Sequence, residues 1–191
     1  PAQAPAAAQD TAPFTVTPID SPAGPGSSEP HFTVQGDRVF LSWLEGDEDH
    51  STLRFAERTA TGWTAAQNIH SSDQINANAE DVPSVQLLAS GALAAAWTDK
   101  NGPDPEASTL RLSFSTDQGK TWSAPVSPHH DGTKTEHGFV SLFQAPGAGL
   151  GLVWLDGRAL SGKKEGQADM ALRSTTYDVA GKQQKETIVD P

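Results

Sequence analysis

Three runs of apolar residues punctuate the chain at near-regular intervals: Val39-Phe40-Leu41-Ser42-Trp43-Leu44, Ala92-Leu93-Ala94-Ala95-Ala96-Trp97 and Leu150-Gly151-Leu152-Val153-Trp154-Leu155. Measured from Trp to Trp they recur at 54 and 57 residues, which is the mark of a repeated structural unit. Each run is too short for a helix and is bounded by Gly, Pro or Asp. Continuous apolar character over so short a stretch fits a strand covered on both faces. A shorter apolar strand precedes each run, around Phe32-Thr33-Val34, Val85-Gln86-Leu87-Leu88 and Phe139-Val140-Ser141-Leu142-Phe143, with Gly36, Gly91 or Gly147 to Gly149 in the turn between. After each run come a polar loop and a third strand, Thr52-Leu53-Arg54-Phe55, Thr109-Leu110-Arg111-Leu112 or Ala171-Leu172-Arg173-Ser174. A fourth follows a short turn, from Trp63 to Ile69, Trp122 to Val126 and Glu186 to Val189. Four short antiparallel strands in about 50 residues have the size of one propeller blade.

The pattern therefore predicts an all-β chain holding about three four-stranded antiparallel blades of a β-propeller, over residues 29–72, 73–130 and 131–191. Propellers close with about four to eight blades, so three units form the N-terminal part of a ring, and the remaining blades of the same protein are expected as partners. Residues 1–28 are rich in Ala, Pro, Gly, Gln and Ser. They read as a disordered or extended linker behind a removed export signal, which implies a secreted or periplasmic protein, with anchoring to the envelope as a variant.

Composition narrows the partners. A formal net charge of −11 and a pI near 4.8 oppose a nucleic-acid partner, whose phosphates would be repelled over most of the surface. No apolar run approaches the roughly 20 residues of a membrane-spanning helix. With no Cys there is neither a disulfide framework nor a thiolate metal site.

The octet Ser115-Thr116-Asp117-Gln118-Gly119-Lys120-Thr121-Trp122 matches the Ser-x-Asp-x-Gly-x-Thr-Trp "Asp box" at every fixed position. Asp117 can accept hydrogen bonds from the turn backbone, Gly119 can take a positive φ, and Trp122 brings apolar surface to the return strand. Ser115, Asp117, Gly119, Thr121 and Trp122 are thus read as a structural turn. The first unit keeps only Thr61-Gly62-Trp63 of it, and the third keeps Asp178 and Gly181.

Taken with Glu29-Pro30-His31, Ser42-Trp43-Leu44-Glu45, Asp81-Val82-Pro83-Ser84, Thr135-Glu136-His137-Gly138-Phe139-Val140-Ser141 and Trp154-Leu155-Asp156-Gly157-Arg158, the octet resembles bacterial sialidase-like proteins with Asp-box repeats. That resemblance covers roughly residues 28–190. It implies a six-bladed propeller that hydrolyses terminal sialic acids through an arginine triad, a Tyr nucleophile helped by Glu, and an Asp acid/base. The chain departs from this pattern, because Ser28 or Glu29 stands where the family's first-blade Arg-Ile-Pro element has its Arg. The single Tyr, Tyr177, lies near the third unit's outer turn and reads as packing.

In a four-stranded meander the loop leading into the first strand and the loop between the second and third strands share one face, opposite the Asp-box turns. That face collects Glu29, His31, Asp81, Glu136 and His137, joined by Asp156 and Arg158 and by the acidic loops at 45–50 and 99–104. Asp81 is the expected acid/base, with Glu136 and His137 as further catalytic candidates, because neighbouring carboxylates raise one another's pKa and His titrates near neutrality. Arg158, Asp156, Glu29 and His31 are the expected substrate-binding residues. The plainer alternative is solvated acidic loops and an Asp156–Arg158 surface pair. His31, Asp81 and His137 would suit a divalent ion chemically, but no short ligand spacing supports it, so no metal or cofactor is expected. His129 and His130 read as solvated loop residues. Two functions follow: a sialidase-like exo-glycosidase acting on glycans, completed by further blades, or a non-catalytic carbohydrate- or protein-binding propeller. A purely structural Asp-box module is the third.

Overall fold

The computed structural model describes residues 15–47, 49–164 and 166–191. The predicted linker falls partly outside them, over residues 1–14, as does Glu48 of the acidic loop at 45–50. Among the described residues, eleven strands form three antiparallel sheets. The first joins β1 (Ser27–Gln35), β2 (Arg38–Gly46), β3 (Ser51–Glu57) and β4 (Gln67–Ser72) in chain order. The second holds β5 (Ser84–Leu87), β6 (Leu93–Lys100) and β7 (Ser108–Ser115), and the third β8 (His137–Gln144), β9 (Leu150–Asp156), β10 (Ala171–Tyr177) and β11 (Thr187–Asp190). The architecture is that of a β-propeller.

The apolar second strands are covered on both sides, as their sequence requires. In β6, Leu93, Ala95 and Trp97 pack against Phe40, Leu44, Leu53 and Phe55 of the first sheet. Ala94 and Ala96 pack the other way, against Leu150, Leu152 and Trp154 of the third. Tyr177 is buried in that same layer, tilted against Phe114, so its reading as packing holds.

Each sheet is clasped by one repeated set of bonds. Trp43 Nε1 donates to Glu45 Oε1 at 2.8 Å, Trp97 Nε1 to Asp99 Oδ1 at 2.9 Å and Trp154 Nε1 to Asp156 Oδ2 at 2.8 Å. The arginine directly across the ladder on the third strand, Arg54, Arg111 or Arg173, lies within ion-pair distance of the same carboxylate. The period-2 geometry explains the spacing, because Trp and the acid two residues on share a face of the strand.

Two boundaries differ from the sequence reading. The second sheet has three strands, and the expected outer strand from Trp122 to Val126 is reduced to an isolated bridge between Leu112 and Val126. Pro125 has no N–H to give the ladder, and Phe114 N donates to the Ser123 hydroxyl instead of to a backbone carbonyl. In the first sheet Trp63 makes one bridge to Arg58, and the outer strand starts only at Gln67. The chain is also anchored ahead of β1: Asp20 O accepts from Trp63 Nε1, Gly24 N donates to Glu45, and Ala23 packs against the cluster of Leu41, Trp43 and Ala56.

The Asp box folds as its residues dictate. Asp117 accepts from Thr121 N at 2.9 Å, from the Thr121 hydroxyl at 2.6 Å and from the Ser115 hydroxyl at 2.8 Å, bonds that pull its pKa down to about 2. Gly119 takes φ +84° against the Phe55 ring of the first sheet, and Trp122 meets that ring edge-on at 5.9 Å. The turn thus ties the second sheet to the first.

Candidate functional site

The innermost strands β1 and β8 each carry a bulge at the same place. Ser28 pairs with Leu44 and His31 with Ser42 across one bulge; Gly138 pairs with Leu155 and Ser141 with Val153 across the other. Leu44 and Leu155 each follow the clasp tryptophan, so Glu29 and Phe139 are structurally equivalent. Both have φ of +53°, a left-handed conformation that is costly for such side chains. Bulges re-aim side chains beside functional sites, and here one delivers a carboxylate and the other an aromatic ring.

Asp81, just ahead of β5, meets the β8 bulge and acts on the β1 bulge through its charge. Its Oδ1 accepts the Phe139 N–H at 2.7 Å, and the space a Cβ of residue 138 would fill is taken by the Asp81 carboxylate, which explains Gly138. Burial raises the pKa of Asp81, partly opposed by the Phe139 N–H. Burial, then the charge of Asp81, pushes Glu29 up to about 7. Glu29 Oε2 is buried and without a hydrogen-bond partner. Burial, then Asp81, also raises Glu136. Three sheets therefore bring Glu29, Asp81 and Glu136 into one electrostatic unit, as the sequence suggested. His31 lies alongside, half-buried and with its pKa lowered by burial; it lines a 230 Å³ cavity with Ser84, Gln86 and Val140 between β1, β5 and β8.

The other candidates form a second cluster. The His137 side chain is 0 % exposed. Its Nδ1 faces the carbonyls of Thr135 and Ser108 at 3.0 and 3.2 Å, and its Nε2 faces Asp131 Oδ2 at 3.2 Å. With both nitrogens held by protein, His137 does not reach a ligand at the channel mouth but holds the turn that carries Glu136. Asp156 is equally buried, and it receives Nε and Nη2 of Arg158 at 2.7 and 2.6 Å. Arg158 also meets Glu186 at 3.0 Å and Asp131 at 3.5 Å. Although burial opposes it, Asp156 and Glu186 raise the Arg158 pKa, and against the pull of burial Arg158 and Trp154 hold Asp156 below the usual carboxylate range.

His129 corrects the sequence reading: it is buried, whereas its neighbour His130 is exposed. Its ring stacks on His137 at 3.9 Å and 3°. Sequence inspection missed it, and Asp131 with it, because nothing in Pro128-His129-His130-Asp131 distinguishes a buried turn from a solvated one. Among the described residues, His31, Asp81 and His137 do not converge as a metal set; His129, Asp131 and His137 do. Their geometry disfavours an ion. Leu110 N donates to His129 Nε2, leaving the proton on Nδ1, which gives it to Asp131 at 2.9 Å. An ion lies near the plane of a ligating imidazole, and two parallel stacked rings offer no shared plane. Burial, then the charge of His137, lowers the His129 pKa, in keeping with a neutral ring.

No family profile and no curated relative matches the chain. Solved structures do resemble it in fold. An endo-1,4-β-xylanase from Bacteroides thetaiotaomicron superposes with a TM-score of 0.57 at 12% identity, over 94% of this chain and 65% of that one. An α-L-arabinofuranosidase from Fusarium graminearum gives 0.56 at 14% identity, over 86% and 48%, and a thermostable family-43 glycoside hydrolase 0.53 at 10%, over 91% and 57%. The chain spans about half to two thirds of the length of these structures. At such identities the likeness establishes a propeller fold and leaves the chemistry to the site.

Proposed function

We propose that the chain belongs to a glycan-acting propeller that cleaves glycosidic bonds with Glu29 and Asp81. The carrying observation is the buried, unpartnered Glu29 Oε2, whose burial, with the charge of Asp81 added, raises the Glu29 pKa to about 7. Burial raises both carboxyl groups, Glu29 to about 7, and a carboxyl group kept protonated to near neutrality with a second acid close by suits glycoside hydrolysis. Glu29 gives its proton to the leaving-group oxygen as the bond to the anomeric carbon breaks. Asp81 takes a proton from the water that attacks that carbon, and Glu136 adds charge that favours the positive transition state. The fold likeness to glycoside hydrolases supports this reading.

The finer sialidase form of the proposal requires arginines free to hold a sugar carboxylate. Here all six arginines have partners: Arg38 pairs with Glu57, Arg54, Arg111 and Arg173 serve the clasps, Arg58 binds backbone carbonyls, and Arg158 is surrounded by acids. This favours neutral sugars within the proposal. Further blades belong to it as well, since Phe32 and Val34 on one end sheet and Phe143 and Ile188 on the other are exposed. A secreted or periplasmic location fits a glycan substrate. The test is hydrolysis of fluorogenic α-L-arabinofuranoside, β-xyloside and α-sialoside by the intact protein, beside a glycan-binding screen. Binding without cleavage would leave the carbohydrate-binding propeller, and neither would leave the structural module.

A further inference from the structure

His129 stands in for a missing strand. In the first and third sheets the leucine before the clasp arginine pairs with a fourth strand, Leu53 with His70 and Leu172 with Asp190. The second sheet has no such strand among the described residues, and Leu110 N donates instead to His129 Nε2 at 3.3 Å, beside the Thr109 hydroxyl at 3.0 Å. The ring is buried, and its other nitrogen gives its hydrogen to Asp131 Oδ2 at 2.9 Å.

Those bonds define the state of the ring. Nε2 accepts an N–H, so it carries no hydrogen and the imidazole is neutral. A proton taken from water onto Nε2 sets donor against donor, which breaks the bond to Leu110. It also adds positive charge to a ring stacked at 3.9 Å on His137. The charged groups around the ring are Asp131 on its own loop, His137 on β8 and Asp156 on β9, with Arg158 joining the two acids, Glu186 meeting Arg158 and Arg173 meeting Asp156. The acids favour a charged ring, but burial and then His137 outweigh them and lower the pKa of His129 from its ordinary 6.5. The folded state thus holds this proton less tightly than the unfolded chain, so stability tied to His129 is full above about 6.5 and is lost as pH falls.

The loop that His129 pins reaches the site. Asp131 also faces His137 Nε2, whose turn carries Glu136, and Thr135 O accepts from Ser108 N at 3.3 Å. We propose that His129 is an acid-sensitive lock: its neutral ring replaces the fourth strand of the second sheet, and protonation at Nε2 unpins residues 127–136 from β7 and loosens Glu136 at the site. The lock stands on its own bonds; only its effect on turnover rests on the glycan-acting reading.

The intact protein is compared with His129→Gln and His129→Phe between about pH 8 and about pH 5. H129Q offers a side-chain oxygen to Leu110 N and does not titrate, whereas H129F keeps a flat ring and loses both nitrogens. Proton–nitrogen NMR of the parent's imidazole is expected to show hydrogen on Nδ1 and none on Nε2 near neutral pH. On acidification the Leu110 amide should lose about tenfold or more of its exchange protection in the parent and less than about threefold in H129Q, while H129F lacks that protection throughout. The parent's melting temperature should fall more steeply than that of H129Q; His31 and His70, also lowered by burial, act on both proteins alike. Hydrogen found on Nε2 overturns the lock, as does an acid loss of protection that is equal in the parent and H129Q. A melting temperature raised by zinc in the parent and not in H129F overturns it too, making His129, Asp131 and His137 a metal site. A parent that cleaves no glycoside removes the glycan-acting reading, while the spectra and the exchange still decide the lock.

Discussion

Asp81 and Phe139 join the second sheet to the third through one bond, Asp81 Oδ1 accepting the Phe139 N–H at 2.7 Å. The same carboxylate adds to the burial that raises the pKa of Glu29 on the first sheet. One side chain therefore connects three sheets, and the properties of the site follow from where it is held.

Asp81→Asn keeps an oxygen for the Phe139 N–H while removing the charge. Turnover of whichever glycoside the parent cleaves should fall about 100-fold or more, the usual scale for an acid/base group, with little change in the melting temperature. Parental turnover in this variant would remove Asp81 from the chemistry.

Glu29 sets a pH dependence with a definite sign. Its pKa is about 7 in the folded protein against an ordinary 4.5, so the folded state holds the proton more tightly than the unfolded chain. Stability tied to this group is present below about 4.5 and is lost as pH rises towards about 7, beyond which the loss is complete. Glu29→Gln should flatten that slope in denaturant melts taken across this range. Hydrolysis should lose activity on the alkaline side with a midpoint near 7 in the parent. An activity profile flat through neutrality would show that Glu29 is not the acid.

Gly138→Ala should disrupt the site while leaving every titrating residue in the sequence. A Cβ there falls 2.3 Å from Asp81 Oδ1, so the carboxylate must move and release the Phe139 N–H. Loss of this part-buried hydrogen bond and the forced shift should cost about 1 to 3 kcal/mol in a denaturant melt. Turnover should fall with it, and an unchanged melt and rate would mean that Asp81 has room to spare.

The clasps should dominate stability. Trp154 is fully buried, and Trp154→Ala should cost about 3 to 5 kcal/mol. Trp154→Phe keeps most of the ring but takes a donor from Asp156, for about 1 to 2 kcal/mol. Chemical denaturation distinguishes the two, and equal losses would mean that the Nε1 bond contributes nothing.

Gly119→Ala tests the junction made by the Asp box. It combines a positive φ with a Cβ 2.3 Å from the Phe55 ring of the first sheet, so a loss of about 2 kcal/mol or more is expected by thermal or chemical melting. A neutral result would mean that the turn and the first sheet adjust freely.

What the sequence determined by itself is the repeat and its local chemistry. Apolar runs ending in Trp and an acid specify second strands buried on both faces, since period-2 geometry alone aligns Trp97 with Asp99 and Trp154 with Asp156. The Asp box carries its own hydrogen-bond partners within a few residues, so its conformation was legible from the octet. The shared location of Glu29, Asp81 and Glu136 followed from meander topology. Only the tertiary structure decided the rest, because those outcomes depend on contacts between residues far apart in the chain. Arg158 is enclosed by Asp156, Asp131 and Glu186, and His137 is sealed against His129, through neighbours the sequence does not place together. The equivalence of Glu29 and Phe139 is hidden for the same reason: a bulge is a mismatch between two strands, visible only when both are paired. Packing then sets the proton affinities of chemically similar acids apart, since burial raises Glu29 while the bonds from Arg158 and Trp154 overcome burial at Asp156.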